Sequence, residues 1–246
     1  MTHDEMQAML SSDEEHWWYR GRRRVLRAEL DRLPLAPDAR LLDAGCGSGR
    51  SLDELATYGR VSGIDLSETA VAAAWRRGHD DVHVAAVEEI PFPDSTFDVV
   101  TCLDVIEHTR DDQVTLAELL RVTRPGGLLL ATVPAYQALW SAHDEANLHY
   151  RRYDRSSLRT AARAAGWDLV SDTYFNGLLL APAAAVRFAS RWRSQRHSDL
   201  EITPQILNGV LELPLRLESR MLAAGSRLPA GLSLLAVLRR AAVRRP

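Results

Sequence analysis

Seven short apolar runs, most of them separated by helical patterns, constrain the fold of this chain more than any other feature. The apolar runs cover 40–43, 61–65, 82–86, 97–103, 127–133, 168–174 and 232–238. The helical patterns between them cover 50–57, 67–77, 112–123 and 155–165. Strands that alternate with helices favour a mainly parallel sheet with helices on both faces and right-handed connections. The predicted fold class is therefore α/β.

Helical patterns also precede and interrupt this alternation. The stretch from about Ser12 to Leu33, ended by Pro34, predicts an N-terminal helix. After Tyr174 two further helical patterns, at 178–192 and 203–222, come before the last strand. Because the chain has neither an internal repeat nor a low-complexity linker, we predict a single domain over 1–246. Its parts are a helical cap at 1–34, a core at 40–174, a helical insertion at 176–224 and a last strand at 232–238.

Composition excludes several classes of protein. The 246 residues carry a net charge of −3, which gives no reason to expect a nucleic-acid partner. Cys46 and Cys102 lack disulfide-like spacing, and the first ten residues are polar, so we expect a cytoplasmic protein without a signal peptide. The longest apolar run, Leu178 to Val186, has nine residues. A membrane-spanning helix needs about 20, so we expect no transmembrane segment.

The sequence LLDAGCGSGR, Leu41 to Arg50, places a glycine-rich loop between the first strand and its helix. In such sheets ligands bind beyond the carboxyl ends of the strands, near the point where the strand order reverses. The loop is not a P-loop, because no Gly-Lys-Ser/Thr follows. A dinucleotide fingerprint needs its third glycine five residues after Gly45, where this chain has Arg50.

The spacing of Gly45, Gly47 and Gly49, with Asp43 two residues before, resembles the first motif of class I S-adenosylmethionine-dependent methyltransferases. The resemblance implies a Rossmann-like, doubly wound seven-stranded sheet whose last strand is antiparallel, and S-adenosylmethionine as the cofactor. It also implies that the loop, with Cys46, packs against the methionine moiety and that Asp43 helps to orient the ammonium group. The alternative is a glycine turn that binds no ligand.

The sequence VSGIDLS places Asp65 at the end of the second strand. An acidic residue there can accept hydrogen bonds from both ribose hydroxyls, and Leu66 would then lie beside the cofactor. The alternative is that Asp65 or Ser67 only caps the helix that follows.

Residues 82–109 are similar to the next two segments of the family. Its members usually have Gly-Asp-Ala here, and the aspartate commonly binds the adenine amine; this chain has Ala85, Ala86 and Val87. Because Ala86 has no acceptor side chain, the backbone of Val87 or the side chain of Glu88 would take that role. Glu88 could equally be a solvated surface residue.

The fourth strand ends in the sequence LDVIEH, and the resemblance places Leu103 to Glu107 around the sulfonium and adenosine. Leu103 and Asp104 are therefore predicted cofactor contacts. Glu107 and His108 are interpreted as residues at the start of a helix, and the alternative is that they are catalytic. The resemblance covers about 40–174.

The N-terminal sequence HWWYRGRRR is similar to a helix that folds over the cofactor in a subset of small-molecule methyltransferases. Neighbouring residues point about 100° apart on a helix, so the three consecutive aromatic residues cannot all lie on one side of it. By this resemblance Tyr19 and Arg22 contact the cofactor carboxylate or the substrate, and Trp18 contacts the substrate. The alternative is an amphipathic helix whose aromatic residues only pack on the domain.

The segment after the fifth strand, 134–158, is rich in polar and ionisable side chains. His143 and His149 are predicted general bases, because a neutral imidazole has a pKa near the working pH. Tyr136, Asp144 and Arg152 are predicted to bind the acceptor. His143, Asp144 and His149 could also form a metal trio, since imidazole and carboxylate are standard ligands. Their spacing matches no standard zinc signature, so no metal is predicted. The alternative is a polar loop held by arginine–carboxylate pairs.

These features predict methyl transfer from S-adenosylmethionine to an O, N or C nucleophile of a small molecule, with S-adenosylhomocysteine as the product. The acceptor would be a secondary metabolite, a sugar or a lipid-linked intermediate. The alternatives are methylation of a macromolecule and a non-catalytic cofactor-binding module. The insertion 176–224 could be a lid, a surface for homodimerisation of an otherwise monomeric chain, or a contact for lipid-like substrate. Four arginines near the C-terminus form a solvated end or make weak contact with an anionic membrane: Arg239, Arg240, Arg244 and Arg245.

Overall fold

The computed structural model describes residues 16–190 and 205–242. Three predicted features therefore lie partly outside the described residues. These are the helix start near Ser12, the segment that joins the two inserted helices, and the arginines at 244 and 245. Within the described residues, no helix has both the length and the apolar character needed to cross a bilayer.

The helices are α1 (Trp17–Leu30), α2 (Arg50–Leu55), α3 (Glu68–Arg76), α4 (Asp112–Val122), α5 (Ala142–Ala146), α6 (Arg155–Ala164), α7 (Leu180–Ser190) and α8 (Gln205–Ala223). The strands are β1 (Arg40–Ala44), β2 (Arg60–Asp65), β3 (Val82–Val84), β4 (Phe97–Leu103), β5 (Thr123–Pro134), β6 (Trp167–Phe175) and β7 (Ser233–Arg240). Short 3₁₀ turns cover Ile106–His108 and Gln137–Leu139.

The seven strands form one sheet in the order β3-β2-β1-β4-β5-β7-β6. Strand β1 pairs in parallel with both β2 and β4, so the chain reverses its direction of winding between β1 and β4. The last strand is antiparallel, and the predicted fold class is confirmed. All seven predicted strands are present.

The central strands are apolar because helices cover both of their faces. In β1 every residue after Arg40 is buried, and in β4 only Asp98 is not fully buried. Strand β5 begins four residues earlier than predicted, at Thr123, since Thr123 pairs with Phe97 before a register shift. Strand β3 ends two residues earlier than predicted, where the chain turns into the loop at 85–89.

The Cα positions cluster into two compact units. The helix-pair unit consists of the described parts of Met1–Leu33, Pro134–Asp154 and Thr173–Leu234. The glycine-loop unit consists of the described parts of Pro34–Val133, Arg155–Asp172 and Leu235–Pro246. That the whole chain acts as one domain remains a prediction.

Helices α1 and α8 of the helix-pair unit pack closely against each other. The backbone N–H of Trp17 donates to Asn208 Oδ1 at 3.2 Å, and Arg24 Nε donates to Glu212 Oε1 at 3.0 Å. At Gly21 the helices are so close that an added Cβ would lie 2.2 Å from Leu215 Cδ1. Glycine is therefore required at position 21 by packing, although it is a poor helix former.

We expect Gly21→Ala to destabilise the protein and Gly209→Ala to stabilise it. Overpacking against Leu215 costs about 1–3 kcal/mol, which exceeds the gain in helix propensity of roughly 1 kcal/mol. A Cβ at Gly209, on α8, meets no atom of the described residues within 4 Å, so only that gain remains. Urea unfolding measures both free energies. Equal stabilisation by the two substitutions would contradict the close approach of the helices.

Candidate functional site

The three glycines of the loop after β1 all have left-handed backbone conformations. Their φ values are 90° at Gly45, 54° at Gly47 and 85° at Gly49, a region that residues with a Cβ rarely adopt. The loop is held at the end of β2, because the N–H groups of Gly45 and Cys46 both donate to Ile64 O, at 2.8 and 2.9 Å. Helix α2 starts directly afterwards at Arg50.

The loop also lies close to the loop after β4. A Cβ added at Gly45 would lie 2.4 Å from Val105 Cγ2, and one added at Gly49 would lie 3.0 Å from the Cβ of Ala74 on α3. The loops after β1 and β4 thus meet where the strand order reverses, the usual place for a ligand in this kind of sheet.

Asp43 at the end of β1 is almost fully buried. Its carboxylate accepts a hydrogen bond from Thr101 Oγ1 at 2.6 Å and another from Ser51 Oγ. These hydrogen bonds link β1 to β4 and to α2, so Asp43 holds the end of β1, where the glycine loop starts. The sequence did not identify Ser51 and Thr101, because neither is close to Asp43 along the chain. Contact of Asp43 with the cofactor ammonium remains a prediction.

Asp65 connects the glycine loop to the start of α3. One carboxylate oxygen accepts from the N–H of Gly47 at 2.9 Å, and the other from the N–H of Ser67 at 2.9 Å. Ser67, rather than Asp65, is the N-cap of α3. Burial raises the pKa of Asp65, and the two backbone hydrogen bonds offset part of that rise. The side chain is thus held at a fixed place without being the helix cap.

The other predicted cofactor contacts of the glycine-loop unit differ in exposure. Leu66 is 75% exposed, whereas Val87 and Leu103 are buried and Glu88 is exposed. Asp104 has a positive φ of 57°, and its N–H donates to Thr132 O at 3.0 Å. A large apolar side chain directly after Asp65 therefore faces solvent. The exposure of Glu88 agrees both with contact to the adenine amine and with a solvated surface residue.

The two thiols, Cys46 and Cys102, are buried and form no disulfide. Burial raises the pKa of each, and the nearby carboxylate of Asp43 raises both further. A thiol must ionise to act as a nucleophile. Neither cysteine is therefore suited to nucleophilic chemistry at neutral pH.

In the helix-pair unit, Asp144 is the centre of a buried polar cluster. It accepts hydrogen bonds from His149 Nδ1 at 2.9 Å, from Arg152 Nε at 2.7 Å and from the N–H of Ser141 at 2.8 Å. Burial alone would raise the pKa of Asp144, but the hydrogen bonds from His149 and Arg152 and the charge of Arg152 outweigh it. The pKa of Asp144 is therefore well below its usual range.

The burial of Asp144 and Arg152 gives no support to the prediction that they bind the acceptor directly. The side chain of Asp144 has no exposed surface, and that of Arg152 has 3%. Arg152 also donates to the backbone O of Ala135 at 3.1 Å. Asp144 contacts His149, and Arg152 contacts Asp144, so the geometry fits a positioning role for both residues. Their direct contact with the acceptor remains a prediction.

His143 lies near this cluster without an ion pair to Asp144 among the described residues. The rings of His143 and His149 lie 6.2 Å apart between centroids. Asn147 Nδ2 lies 3.2 Å from His143 Nδ1 and donates to its backbone O at 2.9 Å. The sequence did not predict α5, although Ser141-x-x-Asp144 is a capping box that signals a helix start.

The predicted aromatic contacts lie in the same unit. Trp18 stacks on Phe175, with ring centroids 5.7 Å apart and planes 10° from parallel. Tyr136 stacks on Tyr174 at 5.1 Å and has a positive φ of 59°. Such strain in a non-glycine residue is concentrated at functional sites.

Tyr19 and Arg22, the predicted contacts of the cofactor carboxylate, are neighbours on α1. The side chain of Tyr19 is buried, and the guanidinium carbon of Arg22 lies 5.5 Å from the centroid of the Tyr19 ring. Their contact with the cofactor remains a prediction.

Comparison with known proteins assigns the family. A protein of Mycolicibacterium smegmatis named probable S-adenosylmethionine-dependent methyltransferase is 32% identical over 207 residues, which are 82% of this chain and 75% of that protein. The chain belongs to the S-adenosylmethionine-dependent methyltransferases. A family model described as a methyltransferase domain matches residues 42–131, which include the glycine loop and Asp65.

Two further comparisons concern this methyltransferase's relatives and fold. The ubiquinone biosynthesis O-methyltransferase of Aromatoleum aromaticum is 38% identical over 105 residues, 40% of this chain and 45% of that protein. The chain thus spans under half of that relative. A solved complex between the Haloferax volcanii Trm112 methyltransferase activator and a methyltransferase contains a chain with the same fold. The TM-score is 0.66 at 21% identity, and the match covers 100% of both chains.

The cofactor of this methyltransferase is S-adenosylmethionine, and the glycine-loop unit has suitable chemistry for it. The left-handed glycines let the backbone of the loop turn tightly between β1 and α2. Each carboxylate oxygen of Asp65 accepts one backbone hydrogen bond, and a carboxylate has about four acceptor sites. Asp65 can therefore accept two ribose hydroxyls as well, with exposed Leu66 available to an apolar face of the nucleoside.

Proposed function

We propose that this methyltransferase transfers a methyl group to a hydroxyl of a small-molecule acceptor. The observation that carries the proposal is the buried pair of Asp144 and His149, which is typical of an oriented general base. A base is needed only when the nucleophile carries a proton. The relative named as a ubiquinone biosynthesis O-methyltransferase supports an oxygen acceptor. Secondary metabolites, sugars and lipid-linked intermediates all have such hydroxyls.

For the cofactor we propose a set of contacts along its length. The loop containing Gly45, Cys46, Gly47 and Gly49 packs on the methionine moiety, and Asp43 holds that loop and orients the ammonium. Asp65 accepts the ribose hydroxyls, while Leu66, Leu103 and Asp104 surround the nucleoside. The backbone of Val87 or the side chain of Glu88 binds the adenine amine. Tyr19 and Arg22 bind the carboxylate, for which an arginine fork is well suited.

His149 is the proposed base. With its Nδ1–H donated to Asp144, the neutral imidazole has Nε2 as its proton acceptor. Because the pKa of Asp144 is held low, its carboxylate is charged at neutral pH and stabilises the imidazolium that forms. Arg152 fixes Asp144 and Ser141 caps the same helix, so the pair is positioned before the acceptor binds.

The proposed reaction is an in-line displacement. S-adenosylmethionine supplies an already electrophilic methyl carbon on a positively charged sulfur. As the acceptor oxygen bonds to that carbon, the carbon–sulfur bond breaks and the hydroxyl proton passes to His149 Nε2. Proximity and orientation account for most of the acceleration in such a reaction, and a base adds about 10²–10⁴-fold. Trp18 and Tyr136, each stacked on another aromatic ring, are the proposed acceptor contacts.

The test begins with labelled S-adenosylmethionine and a metabolite extract, in which the methylated product identifies the acceptor. In single-turnover reactions with that acceptor we expect His149→Ala to slow transfer by about 10²–10⁴-fold. His143→Ala, the matched control, should change the rate much less, since His143 lacks the bond to Asp144. Affinity for S-adenosylhomocysteine should be unchanged in both variants. Equal rates for both variants and the unsubstituted protein would exclude a histidine base.

The proposal also covers partners and location. Two unpaired thiols fit the reducing cytoplasm, and a net charge of −3 gives no electrostatic basis for nucleic-acid binding. We propose a cytoplasmic enzyme that works as a monomer or homodimer.

A further inference from the structure

Four apolar side chains form an exposed stripe along α8. They are Val210, Leu213, Leu217 and Met221, which are 56%, 57%, 51% and 38% exposed. Their spacing of three, four and four residues places them on one face of the helix. The opposite face is packed on α1, where Leu215 is fully buried and meets Gly21. We refer to the four side chains as the α8 stripe.

The charges of α8 are segregated by sign. Its two acidic residues, Glu212 and Glu218, are turned inward and are 1% exposed. Glu212 pairs with Arg20, Arg24 and Arg216.

Glu218 accepts from the backbone N–H groups of Gly177 and Leu178, at 2.9 and 3.0 Å, as well as that of Asn176. The two basic residues of α8, Arg216 and Arg220, lie towards solvent. At 100° per residue they lie along one border of the α8 stripe. The outward surface of the helix is thus apolar with a cationic border.

We propose that the α8 stripe binds an anionic phospholipid surface. An interfacial helix buries apolar side chains at the boundary between headgroups and acyl chains, and its arginines remain at the level of the phosphates. The pattern of α8 meets both requirements. The acidic residues that would be repelled by an anionic surface are buried and engaged inside the unit. This proposal does not depend on which acceptor is methylated.

A second copy of the chain fits this surface less well. Four partly exposed side chains offer on the order of a few hundred Å², whereas a stable interface needs about 800 Å² from each partner. Two-fold symmetry with antiparallel α8 helices would also place each border against the same border of the other copy. Arg216 and Arg220 would then face their own counterparts, with both acidic residues of α8 buried elsewhere.

Vesicle flotation with the full chain tests the proposal. We expect the protein to bind phosphatidylcholine vesicles that contain phosphatidylglycerol at least tenfold more tightly than pure phosphatidylcholine vesicles. The double variant Leu213→Ser with Leu217→Ser should bind the mixed vesicles about 100-fold more weakly. Arg220→Gln should weaken binding about fivefold, and added salt should reduce that difference.

The matched control replaces two exposed valines of the glycine-loop unit, Val114 and Val170, which are 48% and 46% exposed. The double variant Val114→Ser with Val170→Ser should bind vesicles like the unsubstituted protein. Affinity for S-adenosylhomocysteine, measured on every variant, reports folding and keeps this test separate from methyl transfer.

Three results would overturn the proposal. The first is absence of binding to the mixed vesicles, and the second is an equal loss of vesicle binding in the control variant. The third is a dimer, seen by sedimentation equilibrium, that the Leu213 and Leu217 substitutions dissociate while vesicle binding is unchanged.

Discussion

Asp144→Asn is expected to lower the free energy of unfolding by about 3–5 kcal/mol, the usual cost of removing one partner from a buried ion pair. The substitution leaves the guanidinium of Arg152 buried without its carboxylate, since Arg152 Nε donates to Asp144 at 2.7 Å. Because one carboxylate oxygen becomes an NH₂ group, either the N–H of Ser141, which donates to Oδ2, or His149 Nδ1, which donates to Oδ1, also loses its acceptor. Equilibrium unfolding in urea measures the loss.

The pH dependence of this loss has a definite sign. The pKa of Asp144 is lowered in the folded protein, so its stabilisation is complete above the unfolded value of about 3.9. It is lost as the pH falls from there towards the folded pKa, because only the unfolded chain then takes up a proton. The difference in unfolding free energy between the protein and Asp144→Asn should thus be constant near neutral pH and shrink below about pH 4.

Glu145→Gln is the matched control for this prediction. Glu145 is the next residue on α5 and is exposed, so loss of its charge should change the unfolding free energy by less than about 0.5 kcal/mol. If Asp144→Asn cost no more than Glu145→Gln, the cluster around Asp144 would not stabilise the unit. Its role in holding His149 would then also be doubtful.

The fold could be predicted because its signals are local. Buried parallel strands are continuous apolar runs, and Pro34, the glycine loop and polar helix caps lie at or near the ends of helices. The cap at Asp111 is an example, since its side chain accepts from the N–H groups of Gln113 and Val114 at the start of α4. The boundary errors at β3 and β5 arise at a turn and a register shift, which depend on the neighbouring strands.

The candidate site was predictable where the chemistry lies within one motif. Gly45, Gly47 and Gly49 have positive φ values, and Asp65 accepts a hydrogen bond from the loop. Their contact with the cofactor remains a prediction. The roles of residues in the polar segment around His149 were harder to predict, because these residues were assigned by residue type alone. A sequence of ionisable residues does not show which carboxylate is buried. An exposed carboxylate can contact a ligand, whereas a buried one is better suited to position another residue. Here the contacts from Ser141, His149 and Arg152 favour a positioning role for Asp144, and its direct contact with the acceptor remains a prediction.

Asp65→Ala is expected to weaken binding of S-adenosylhomocysteine by about 100-fold or more. Each hydrogen bond from a ribose hydroxyl to a charged carboxylate contributes about 1.5–3 kcal/mol, and two such bonds correspond to that factor. The substitution also removes the link between Gly47 and Ser67, so the loop is held less firmly at Gly47. Isothermal titration calorimetry measures the affinity. Asp81→Ala, which removes a carboxylate that instead bonds Ser62 and His83, should leave the affinity nearly unchanged.

The pH dependence of binding distinguishes a ribose contact from a purely structural role of Asp65. Burial raises the pKa of Asp65 in the free protein, and two donated hydroxyls would favour the ionised form. Binding should therefore release a proton, and affinity should fall at mildly acidic pH, above the ordinary aspartate pKa of about 3.9. Asp65→Asn should bind weakly with no such dependence. If Asp65→Asn retained both the affinity and its decline in acid, another group would be responsible and the ribose assignment would be wrong.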